Sequence, residues 1–364
     1  MSPRHLAATL AGLALFAGAA ALAQTISPIE AYVQRDDPAY RWNVIDDAQG
    51  EEIRTVVIDM VSQTWLAADE VDRREWQHWL VLSIPADRPP ATIGMLYIGG
   101  GRNGREPPAA ETGNAQMEMI ARATGTIVAE LHMVPNQPLV FHGDGQPRFE
   151  DDLIGYGWDQ FLRGGRAEWL ARNAMVKAAV RAMDTVTAFA ASESGGRQTV
   201  DRFVVAGGSK RGWTTWLTGA FDDRVTGIIP IVIDVVNTDP SMRHHFAAYG
   251  FWAPSIGNYV QHGIMQRLDD PKLAELYRLV DPYAYTSKLT MPKLILNAAG
   301  DQFFLPDSSQ FYFDDLRGES YLRYVPNADH GLDGSDAAET IAAFHHAMVT
   351  GRKPPSLAWR HGVD

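Results

Sequence analysis

Apolar positions along the 364-residue chain follow two spacings, and the spacing changes from one segment to the next. Alternation with β-branched residues predicts strands over residues 54–61 and 79–84, with a polar, acidic stretch at 67–75 between them. Short unbroken apolar runs predict buried strands over 93–98, 127–131, 202–206, 227–233, 293–297 and 321–325. A helical period covers 113–124, 167–191, 212–220 and 337–349. Two neighbouring early strands followed by repeated β-α units predict an α/β fold, a mostly parallel central sheet with helices on both faces around one core. The exception is 237–290, which carries Tyr249, Trp252, Tyr259, Tyr277 and Tyr283 but little strand pattern. It reads as a helical lid inserted over one edge of the sheet, so that 24–364 form a single domain.

Composition narrows the function classes. Residues are 46% hydrophobic and 21% charged, enough for a large core, and a formal charge of −12 disfavours nucleic acid as a partner. Residues 1–23 read as a secretory signal, with Arg4 as the positive start, an apolar stretch over 6–20 and the small-x-small run Ala21-Leu22-Ala23 before Gln24. That stretch is shorter than the roughly 20 residues of a membrane span. The expectation is therefore a periplasmic or secreted protein with no stable membrane insertion after cleavage. The chain has no cysteine, which excludes thiol nucleophiles, thiolate zinc sites and iron–sulfur clusters. His244 and His245 are adjacent and lack the i, i+4 spacing of a zinc pair, and the glycines at 99–104 lack the order of a nucleotide loop, so neither metal nor cofactor is expected.

Candidate chemistry centres on Phe203-Val204-Val205-Ala206-Gly207-Gly208-Ser209-Lys210-Arg211-Gly212-Trp213. A buried strand that runs through small residues straight into a helix puts Ser209 in a sharp turn, its hydroxyl exposed and the helix amino terminus aimed at it. The alternative is that Ser209 only caps the helix. The pattern departs from G-x-S-x-G, because Arg211 stands at the last glycine position and Gly212 one place later. A serine nucleophile needs a base, an orienting acid and oxyanion donors. Asp301 follows the predicted strand 293–297 and His330 follows 321–325, giving the chain order Ser, Asp, His of an α/β-hydrolase. Asp234 ranks second for the acid, and Asp307 and Asp329 lie close to the favoured pair. The backbone N–H of Lys210 and those of Gly100 and Gly101 are the candidate oxyanion donors. Lys210 and Arg211 put positive charge beside Ser209, which suits an anionic substrate or the oxyanion itself, and are equally readable as solvated helix-start residues. Arg211, His244, Trp252 and Asn103 are further candidates for substrate contact.

Many of these residues fall in segments that resemble the PhoPQ-activated pathogenicity-related proteins, secreted members of the α/β-hydrolase superfamily. The segments are Ser62-Gln63-x-Trp65, Trp76-x-His78, Gly99-Gly100-Gly101-x-Asn103, Val134-Pro135-Asn136-Gln137-Pro138, Glu150-Asp151, Met183-Asp184, Gly208 to Trp216 and Gly300-Asp301-x-Phe303-Phe304. The resemblance implies an α/β-hydrolase fold, Ser209 as nucleophile and Asp301 and His330 as its partners, and implies little about substrate. Gly207-Gly208-Ser209-Lys210-x-Gly212 is also similar to the nucleophile turn of glucuronoyl esterases, a hint of ester chemistry. The carboxyl half resembles serine peptidases of the prolyl oligopeptidase type, without their amino-terminal propeller repeats.

The expected activity is that of a secreted serine hydrolase cleaving an ester or amide bond through an acyl-enzyme, acting on a small-molecule or peptide substrate, with esters favoured. Two alternatives stand beside it. One is a prolyl oligopeptidase-like peptidase, the other a non-catalytic envelope protein that captures cationic antimicrobial peptides.

Overall fold

A computed structural model describes residues 26–86 and 91–355. The expected leader, 1–23, lies outside the described residues. One nine-stranded sheet organises the chain, in the order β1-β2-β3-β5-β4-β6-β7-β8-β9. β1 (Arg41–Gln49), β2 (Ile53–Thr64) and β3 (Glu75–Pro85) pair antiparallel, and β3 joins β5 (Val128–Leu131) in the same sense. From there β4 (Ile93–Ile98), β6 (Arg202–Gly208), β7 (Val225–Ile231), β8 (Lys293–Ala298) and β9 (Ser320–Val325) run parallel.

The predicted strands all form, and one more precedes them. β1 escapes the apolar pattern because it is an edge strand paired only with β2, and most of its residues face solvent. The glycine loop at 99–101 follows the fourth strand of the chain, Ile93–Ile98.

Each central strand buries both of its faces, which is why it reads as a continuous apolar run. Successive residues alternate between two cores: Leu96, Ile98, Val205 and Ile295 belong to one, while Met95, Val204, Ala206, Leu294 and Leu296 belong to the other. The first core is covered by α4 (Arg172–Ala191) and α5 (Lys210–Phe221), the second by α2 (Ala115–Thr124) and α9 (Ala337–Thr350). The helix predicted at 167–191 is a short 3-10 turn, Ala167–Trp169, followed by α4. Two further helices form that the pattern did not single out: α1 (Pro28–Gln34), too short to establish a period, and α3 (Glu150–Leu162), whose buried stripe of Leu153, Ile154, Trp158 and Phe161 has helical spacing but opens on Glu150, Asp151 and Asp152 and is interrupted by Gly155 and Gly157. Between β7 and β8 the chain forms α6 (Thr238–Tyr249), α7 (Gly257–Gln261) and α8 (Pro271–Val280), joined by 3-10 turns.

Candidate active site

Ser209 sits where β6 ends and α5 begins, with φ 56° and ψ −124°. A non-glycine residue held in such a conformation stores about 1–3 kcal/mol. Its side chain makes no capping bond to α5, so the cap reading fails, and its backbone N–H donates to the Ile231 carbonyl at 2.8 Å. The flanking glycines explain how so tight a junction packs. A Cβ on Gly207 would lie 2.9 Å from the Arg211 carbonyl oxygen, and one on Gly212 would lie 2.8 Å from Ile233 and 3.0 Å from the Ile231 oxygen. Close approach of α5 to the sheet thus falls at position 212, which is why Arg211 can replace the usual last glycine.

Asp301 and His330 follow β8 and β9, and both parallel strands end at the same rim as β6. Asp301 Oδ2 is 2.8 Å from His330 Nδ1, while its Oδ1 accepts from the backbone N–H groups of Phe303 and Phe304 at 2.7 and 3.2 Å. The His330 backbone donates to Gln302 Oε1, and the Phe303 ring lies 4.3 Å from the imidazole. The carboxylate is thereby fixed, and the imidazole is fixed by it, with Nε2 turned away from the carboxylate. No hydrogen bond joins Ser209 Oγ to Nε2 among the described residues; contacts of this kind tighten on substrate binding in many hydrolases. Phe303 and Phe304, which flank the imidazole, line the cavity that Ser209 also lines.

The competing carboxylates are engaged elsewhere. Asp234 is buried and accepts from Tyr312 and Tyr324 hydroxyls at 2.6 and 2.5 Å; burial pushes its carboxyl up to about 6 against those hydrogen bonds. Asp307 pairs with His244 at 3.0 Å, and Asp329 accepts from the Gly331 N–H of its own loop.

The charges next to Ser209 are not solvated. The Arg211 guanidinium forms a two-pronged bond with Glu150 at 2.7 and 2.8 Å, and Lys210 Nζ reaches Glu150 and Asp151 at 3.0 and 3.3 Å. Gln137 links this cluster to the glycine loop: its amide donates to Glu150 Oε1 and to the Gly101 carbonyl, and accepts from the Glu150 N–H. Arg211 also underlies Gly100, where a Cβ would lie 2.9 Å from the guanidinium. The loop is further tied by Met133 N–H to the Gly100 carbonyl at 2.7 Å. The N–H groups of Gly100, Gly101 and Lys210 donate to no described residue, at a point where β4 and β6 run side by side. Arg211 is thus a brace between α5 and the glycine loop instead of a free charge for substrate.

The cavity beside Ser209 has a volume of about 50 Å³, room for a handful of non-hydrogen atoms. Trp158, Trp213, Phe303 and Phe304 form apolar walls, and Thr238, Met242, Ile256 and Tyr259 reach it from the helical segment between β7 and β8. Arg211, His244, Trp252 and Asn103 do not line it. His244 is held by Asp307, Trp252 stacks on His245, and Asn103 bonds the Gln137 and Pro138 carbonyls. Of the charged lining residues, Arg172 was not singled out in the sequence, and Asp151 only within the family-like segment Glu150-Asp151. The available signal for Arg172 was a charge, with polar Asn173 beside it, between the apolar residues Trp169-Leu170-Ala171 and Ala174-Met175. Among the described residues no group of three or more His, Asp and Glu could hold a metal ion.

In architecture the chain is similar to acetyl xylan esterases from Paenibacillus sp. R4 (TM-score 0.60, 15% identity, 88% of this chain and 92% of that one) and from Thermoanaerobacterium sp. (TM-score 0.58, 13% identity, 88% and 93%). An S-formylglutathione hydrolase from Agrobacterium tumefaciens is similar at a TM-score of 0.51, with 14% identity over 84% of this chain and 99% of that one. These likenesses establish the α/β-hydrolase fold. In sequence, autocrine proliferation repressor protein A of Dictyostelium discoideum is 37% identical over 339 residues, 92% of this chain and 67% of that protein. The family model described as PhoPQ-activated pathogenicity-related protein matches residues 29–364, and the chain belongs to that family.

Proposed function

We propose that this protein is a serine hydrolase that cleaves carboxylic esters bearing a short acyl group. The observation that carries the reading is the strained turn at Ser209, a cost the fold bears while the hydroxyl is left without a structural hydrogen bond. In the proposed reaction Ser209 Oγ attacks the acyl carbon as its proton passes to His330 Nε2, and Asp301 stabilises the imidazolium that forms. The N–H groups of Lys210, Gly100 and Gly101 receive the oxyanion. The alcohol leaves with the proton from His330, and water, activated by the same imidazole, releases the acid and restores the serine. A cavity of about 50 Å³ favours acetyl-sized acyl groups over long chains, in keeping with the acetyl esters for which two fold neighbours are named.

The leader-like residues 1–23 support a periplasmic or secreted location, which amino-terminal sequencing of the mature protein tests. For the chemistry, a fluorophosphonate probe should label wild-type protein at Ser209, and Ser209→Ala should lose labelling and at least about 10³-fold in kcat/KM on short acyl esters. Near-normal turnover by Ser209→Ala would remove the assignment.

A further inference from the structure

Arg172 is the first residue of α4, is 1% exposed and lines the cavity beside Ser209. Its Nη1 donates to the Lys210 carbonyl at 2.8 Å, whereas Nε is buried without a partner and Nη2 bonds no described residue. The guanidinium lies 4.7 Å from the Trp213 ring centroid. No carboxylate of the described residues is within ion-pair distance, although Glu150 and Asp151 stand nearby.

Lys210 and Arg211 are matched by Glu150 and Asp151, and Asp151 also accepts from the Tyr259 hydroxyl at 3.1 Å. Arg172 is the third cation against two carboxylates, so the cluster keeps one uncompensated positive charge beneath the cavity. A buried cation without a counterion costs several kcal/mol, and this one also sits at a helix amino terminus, where the backbone dipole opposes positive charge. The one hydrogen bond to Lys210 needs only a neutral donor.

We propose that Arg172 anchors a carboxylate on the substrate, so that the preferred esters carry an anionic group next to the bond that is cleaved. The guanidinium offers Nη2 to a carboxylate oxygen, and the carboxylate supplies the missing negative charge inside an apolar wall that strengthens the attraction. This inference rests on the hydrolase reading above and moves the anion-binding role from Lys210 and Arg211, which are neutralised, to a residue on a different helix.

The test uses four substrates of similar size: a succinate half-ester with the carboxylate on the acyl side, an acetylated glycolate with it on the alcohol side, and the uncharged carboxamide analogue of each. Wild-type protein should prefer one of the two anionic esters over its carboxamide by at least about 10-fold in kcat/KM. Arg172→Gln, which keeps a donor for Lys210, should abolish that preference by slowing the anionic ester more than its carboxamide, and Arg172→Lys should restore part of it. Equal rates on charged and uncharged esters, or equal losses in Arg172→Gln, would overturn the proposal; which anionic ester wins locates the carboxylate. A second readout is independent of turnover. Free succinate should raise the melting temperature of wild type and not of Arg172→Gln. If every ester and the fluorophosphonate fail while succinate still stabilises wild type alone, the hydrolase reading falls and the carboxylate site stands. If succinate also fails, both fall.

Discussion

A serine held at φ 56° sets a trade between stability and reactivity that can be measured. Ser209→Gly and Ser209→Ala both remove the hydroxyl, but only glycine removes the Cβ that makes the conformation costly. Relief of the strain should outweigh the extra freedom glycine adds to the unfolded chain. We therefore expect Ser209→Gly to be about 1 kcal/mol more stable than Ser209→Ala by chemical denaturation, both inactive on esters. The reverse order would mean that the turn stores no strain. Asp301 shows the complementary economy: both carboxylate oxygens are engaged, one by two backbone N–H groups and the other by the imidazole, so orientation of His330 depends on a carboxylate that cannot rotate.

Between elements, one carboxylate does the joining. Glu150 opens α3, binds Arg211 and Lys210 from the start of α5, and meets Gln137, which in turn holds the Gly101 carbonyl. Burial pushes its carboxyl up, but the Arg211 bonds and the Lys210 charge outweigh burial and hold it down at about 2. Its side chain is 38% exposed, so the stabilisation is smaller than a fully buried pair would supply. Glu150→Ala should cost about 2 kcal/mol in denaturant melts, leaving Arg211 without a carboxylate while Lys210 keeps Asp151. Because the same contacts fix the glycine loop, kcat on a neutral short ester should fall about 10-fold with KM little changed. Unchanged kcat would show that the loop is held by its backbone ties alone.

Across the whole molecule, buried titratable groups give stability a pH dependence with opposing parts. Asp234 has its carboxyl raised to about 6 by burial, so the folded protein holds a proton there that the unfolded chain has released. Stability from this group is greatest below the ordinary carboxylate range and is lost as pH rises from about 4 through 6, by at most about 3 kcal/mol. His78 and His345 act the other way: burial lowers them to about 4 and about 3, so they cost stability as pH falls below 6.5. Their sum masks each one, and the difference between wild type and Asp234→Asn isolates the first. Between pH 4 and 7 the stability of Asp234→Asn relative to wild type should rise with pH in thermal or denaturant melts. A constant difference would mean that Asp234 titrates normally.

Local sequence sufficed wherever a short-range pattern carried the physics. Central strands buried on both faces must be apolar throughout, and a strand that turns into a helix within Gly207-Gly208-Ser209 must expose its serine. The position of Asp301 and His330 after their strands was legible for the same reason. β1 was not, because a solvent-facing edge strand has no need of an apolar stripe. Tertiary structure alone decided which charges are free. Sequence places Lys210 and Arg211 beside the serine, but Glu150 and Asp151, about 60 positions earlier, neutralise them, a pairing that no local spacing encodes. Arg172, in a stretch that reads as core, is the cation left over, because the folding of α4 against α5 brings it under the cavity without bringing a carboxylate with it.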